Sequence, residues 1–465
     1  MRKSWNLLTT LGLLVSLSMT ASAQTTKLDS CDATWLWPPP TNAAEADGLI
    51  DMDDLVAADG TPVISDQSFA DMLAAVDSGA ASVSIGNNQS NKITLDADLR
   101  KRGNWKIAGM RIDASAPGGH GDIRAAYGEL PQIRFAIQPV IVNGMNCEVR
   151  DFAMHVVFSF PKPGTRPSEP DEPAFRKILD DILVLKKKCA DAGVMTTGAK
   201  LGIHPGLKNN AVPGLTDDVK AMLKTHLHDD RLTALAIMGL DGREPWIFMP
   251  LARPQGPGTH FVVFPIPIFN DPSASDDANK RKTAQMLTFR GPARIEPAAQ
   301  TDNLSPMAHN PRLENGFQVP LLDRRGVSMS VFFPDISAND LDAHAKIGVD
   351  DNGNPIFHSE MKNKDIPDFI ANPLRCHFFN TSCVPCHVES QRREKHQLAR
   401  SSFAFEWPPG ISELDPNVKQ IDKWNVRNLG WFPNLSGRVF PTIAQRTANE
   451  TAEAVNYINE KYLSN

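Results

Sequence analysis

Ile133-Arg134-Phe135-Ala136-Ile137-Gln138-Pro139-Val140-Ile141-Val142 is rich in branched and aromatic side chains and is followed by Asn143-Gly144. That composition, closed by a tight-turn pair, reads as a β-strand entering a turn. Phe152 to Phe160 reads as a further strand, and Trp105 to Ile112 alternates ahead of the turn-like Gly118-Gly119-His120-Gly121. Residues 63–160 therefore read as β-rich. A second block, Leu232 to Met238 and Trp246 to Leu251 around Asp241-Gly242-Arg243, reads as a hairpin, and His260 to Ile268 as a proline-broken edge strand.

Helices interrupt this pattern. Phe175, Ile178, Leu179, Ile182 and Leu185 recur at helical spacing, so a helix is expected over 174–192, stopped by Gly193. Lys186-Lys187-Lys188 near its end reads as surface charge matched to the helix dipole. A second helix is expected over 216–228, after Thr216-Asp217-Asp218. The fold class is thus α+β, a β-rich N-terminal region with a few helices followed by a small, mostly α domain. Its expected parts are a signal peptide at 1–23, an extended proline-rich surface arm at 24–62, an α+β region at 63–365 and a C-terminal domain at 366–465. Within the third part, the proline-rich linker 161–173 is a candidate boundary between two subdomains.

The N-terminus sets the compartment. Arg2 and Lys3 precede an apolar run from Leu7 to Met19 and then Ala21-Ser22-Ala23. This is the pattern of a secretory signal peptide, with Gln24 as the expected mature start and the periplasm as the expected location. The run is short for a membrane span, and no other segment approaches about twenty apolar residues. The formal charge of −6 becomes −8 once Arg2 and Lys3 are removed, which argues against nucleic acid as a partner. Of six cysteines, Cys31, Cys147, Cys189 and Cys376 are available for up to two disulfides in an oxidising compartment.

Cys383-Val384-Pro385-Cys386-His387 carries the chemistry. Two cysteines three apart, followed directly by histidine, form the attachment signature of c-type haem. Each thiol adds to one vinyl group of the porphyrin, and the histidine reaches the iron as proximal ligand. The competing readings are a disulfide beside an idle histidine, or half of a zinc site, for which no second pair exists at similar spacing. Other candidates are weaker. Asp51, Asp53 and Asp54 lack the spacing of a calcium loop, so they read as a solvated turn. His155 reads as a strand histidine, and His226 and His228 point apart on a helix.

From about Ile366 onward the chain resembles a cytochrome c domain, with the haem motif near its start and a terminal helix at its end. Thr447 to Glu450 reads as a capping box, and Ala448, Ala452, Val455, Ile458 and Tyr462 give one apolar face. The resemblance implies one covalently bound haem c on Cys383 and Cys386, with His387 on the iron. It also implies a terminal helix packed on the helix before the motif, and one-electron transfer with a periplasmic donor or acceptor protein. Two features depart from the family. Pro367 and Pro373 bracket a shortened pre-motif helix. No methionine follows Met361, so the usual distal ligand is missing.

The sixth position is then open to His396, to His377, or to Met361, His358, His344 or Met329 of the preceding region. It is equally open to nothing at all, in which case the loop 424–432 would line an exposed distal face with Arg427 or Arg438. Arg392, Arg393, Lys395 and Arg400 form a basic cluster beside the motif, suited to steering a redox partner. An open iron instead implies a haem peroxidase-like oxidoreductase or a haem-based sensor.

Overall fold

The computed structural model describes residues 26–82, 95–114, 130–164, 169–239, 246–253, 260–263, 413–418, 428–433 and 437–464, together with Ala371 and short strands between 266 and 357. A ten-stranded antiparallel sheet organises it. The strands used below are β1 (Thr34–Leu36), β2 (Trp105–Asp113), β3 (Gln132–Asn143), β4 (Asn146–Val149), β5 (Phe152–Ser159), β6 (Leu232–Gly239) and β7 (Trp246–Ala252). They lie in the order β1-β2-β3-β5-β6-β7, continued by a hairpin at Leu287–Arg290 and Arg294–Pro297. With helices packed on this sheet, the class is α+β as expected.

Two residues explain the layout of β3. Its inner half pairs with β5 as far as Ile137, and its outer half pairs with β4 from Val140. Pro139, which has no N–H to donate, falls in the gap where the partner changes, a position that costs the sheet no bond on that side. Gly144 (φ +62°) then turns the chain, as the Asn143-Gly144 pair predicts, but into the short β4 rather than directly into β5.

Both faces of the sheet are covered, and β2 is buried at all positions. On one face, Phe135 meets Phe158 edge to face at 5.8 Å, and Phe160 meets Phe175 at 6.1 Å. Phe175 belongs to the helix Glu172–Asp191, capped by the Asp171 carboxylate accepting from Ala174 N at 3.2 Å. Its buried stripe is the one read from spacing, and Gly193 (φ +76°) follows its end. The helix Leu215–His226 packs beside it. The C-terminal segment, a hairpin of Leu429–Pro433 with Val439–Ile443 followed by the terminal helix Gln445–Lys461, packs on β2 and β3 and meets the helix Glu172–Asp191 at its end, where Tyr462 lies 5.2 Å from Phe175.

Several expectations are corrected. The stretch 24–62 is not a surface arm: Trp35, Leu36 and Trp37 are buried, and β1 pairs with β2 at the edge of the sheet. Three consecutive large apolar side chains favour burial over exposure. Residues Asp66–Ser82 form a helix inside the region read as β-rich. Thr447 and Glu450 do not cap the terminal helix, because it begins earlier, after Ala444, and the Glu450 carboxylate is taken by Arg111 and Arg446. Lys186 is buried rather than on the surface, held by Asp29 at 2.9 Å and Asp32 at 2.8 Å.

The loop expected to line an open distal face is likewise corrected at 429–433, which is a strand packed against β2 and β3. The described C-terminal residues 428–464 share their core with β1, β2 and β3.

The contact is close because two glycines allow it. A Cβ on Gly109 would lie 2.8 Å from Leu429 Cγ, and one on Gly430 would lie 2.3 Å from Gln138 Oε1. Gly430 also sits at φ +134°, a conformation open to glycine alone. Gln138, fully buried, accepts from Trp431 N–H at 2.6 Å and donates to the Trp431 carbonyl at 2.8 Å, standing in for a backbone strand. We expect Gly430→Ala to lower stability by roughly 2–4 kcal/mol through backbone strain and overlap. Gln138→Leu should cost a comparable amount by leaving two backbone groups unmet. Urea unfolding checks both, and values within about 0.5 kcal/mol of wild type would contradict this reading.

Candidate functional site: the seat of the cysteine-bearing segment

Cys383, Cys386 and His387 lie outside the described residues, as do His377, His396, Cys376, Arg427 and the basic cluster at 392–400. The signal peptide lies outside them too. The two described flanks of that segment are both fixed to the body of the protein.

Before the segment, Ala371 is helical and buried, and its carbonyl accepts from Asn449 Nδ2 at 2.8 Å. Asn449 is itself fully buried, with its Oδ1 accepting from Gln445 Nε2 at 3.0 Å. After the segment, Glu413 and Asp415 clasp Leu201: Leu201 N donates to the Glu413 carbonyl at 2.7 Å, and Asp415 N to the Leu201 carbonyl at 2.9 Å.

Between these anchors lies a buried polar seam. Glu450 on the terminal helix receives Arg111 Nη1 at 2.6 Å and Arg446 Nη2 at 2.9 Å, and Arg111 Nη2 also reaches Asp113 at 2.8 Å. Burial alone would raise the Glu450 pKa, but the two guanidiniums outweigh it and hold the carboxyl down at about 2. Thr34 and Thr451 share a hydrogen bond at 2.7 Å, and the Thr451 hydroxyl donates to the Thr447 carbonyl at 2.8 Å. Farther along, the Asn459 amide exchanges two bonds with the Leu28 backbone, each 2.8 Å. An ion cluster this deep is costly to disrupt by halves, because removing one partner leaves an uncompensated charge.

Next to the second anchor, His204 is 1% exposed and stacks on Trp35, ring centroids 3.7 Å apart and 3° between planes. Gly206 N–H donates to His204 Nδ1 at 3.1 Å, which places the ring hydrogen on Nε2. With no lone pair on either nitrogen free, this tautomer cannot bind a metal. Burial keeps the ring neutral, its pKa down at about 3. His204 Nε2 and Trp37 Nε1 are buried donors that meet no acceptor. Neither was legible as a site residue: His204 sits in a loop, and Trp37 reads only as apolar.

The remaining candidates resolve as structural. His226 Nε2 pairs with Asp181 at 2.7 Å, His155 lies half-buried in β5, and Asp51, Asp53 and Asp54 are engaged by Lys106, Arg102 and Lys220. Cys31, Cys147 and Cys189 are free thiols, and burial pushes Cys31 up to about 12 and Cys189 up to about 11. No helix among the described residues is long and apolar enough to cross a membrane. No family model matches this chain, and neither does any curated protein or solved structure.

His204 and Glu450 set the acid limit of the fold. A histidine held at about 3 but titrating near 6.5 when unfolded takes up its proton only in the unfolded chain, so stability falls as pH drops below about 6.5. Glu450 adds its loss lower, between about 4.5 and 2. We expect His204→Phe to remove about one proton, roughly 1.4 kcal/mol per pH unit, from the slope between pH 6 and 5. Urea unfolding at both values tests this, and an unchanged slope would contradict it.

Proposed function

We propose that this chain is an exported, periplasmic c-type cytochrome with a single haem, passing one electron at a time to or from a partner protein or its own N-terminal region. The observation that carries the proposal is Cys383-Val384-Pro385-Cys386-His387 behind an export-type N-terminus. Covalent haem attachment in bacteria is completed outside the cytoplasm, so the two features belong together. Cys383 and Cys386 would hold the haem covalently, and His387 would take the proximal position. When bound, the haem supplies an iron centre that alternates between two oxidation states.

The rest of the chain supplies position and surroundings. Asn449 and Leu201 hold the described residues at the two ends of the segment, Ala371 and Glu413 with Asp415. An electron carrier benefits from such a seat, since a rigid surrounding limits rearrangement when charge changes. Arg392, Arg393, Lys395 and Arg400 supply positive charge in an acidic protein, suited to steering an acidic partner surface.

A second reading, a peroxidase-like oxidoreductase or a haem-based sensor with an open iron, is favoured by the absence of methionine after Met361. Carbon monoxide separates the two. For an electron carrier we expect a low-spin spectrum that carbon monoxide leaves unchanged, and Cys383→Ala and Cys386→Ala should each weaken covalent haem retention. Ready binding of carbon monoxide would shift the reading to the open-iron class, and full haem retention in both variants would overturn the attachment sites.

A further inference from the structure

We draw no further inference here: the strongest candidate, the guanidinium pair of Arg111 and Arg134 facing each other across β2 and β3, carries nothing, because Arg111 is already held by Glu450 and Asp113 while Arg134, bonded to Gln132 and partly open to solvent, needs no ligand to complete it.

Discussion

The structure turns on the approach of Trp431 to Gln138. One buried amide serves both backbone groups of one residue, and that bond forms only because Gly430 has no side chain to fill the gap. Everything C-terminal to it takes its register from this point. The hairpin lies flat on β2 and β3, the terminal helix follows at Ala444, and its Glu450 reaches Arg111 and Asp113 on the same face. Without the clamp, a buried charge cluster would have to find its own alignment. Ion pairs of this depth enforce a geometry more than they stabilise it.

A consequence is that the first and last elements of the chain complete one another. Leu28, Thr34 and Trp37 are bonded to Asn459, Thr451 and Trp431. These contacts span most of the sequence, and closing so large a loop costs chain entropy before any contact repays it. Completion of the sheet edge therefore depends on contacts 394 to 431 positions apart in the chain. The described residues on either side of the cysteine-bearing stretch, Ala371 and Glu413, are both bonded to this body.

Much of the local structure was legible. The helix at 172–191 shows its stripe and its glycine stop, and β3 and β5 show their branched and aromatic content. The helix at 66–82 was missed although Phe69, Met72 and Val76, all buried, recur at helical spacing, because the residues between them are mostly small or polar and carry no cap signal of their own. The burial of Trp35 and Trp37 was missed for a different reason. Pro38-Pro39-Pro40 dominates the reading of that stretch, yet strand β1 ends just before it. The seam was invisible altogether. Arg111, Gln138, Asn449 and Glu450 read as surface residues one by one, and only the meeting of distant segments buries them together. For the motif itself the balance is reversed: sequence spacing supplies the chemistry, and the fold supplies only its surroundings.

The most direct test of the account is mass spectrometry of the peptide containing residues 383–387, taken from the protein exported by a host able to attach haem. The account predicts a single haem joined to that peptide through both Cys383 and Cys386. An unmodified peptide, with the two cysteines as free thiols or joined to each other, would contradict it.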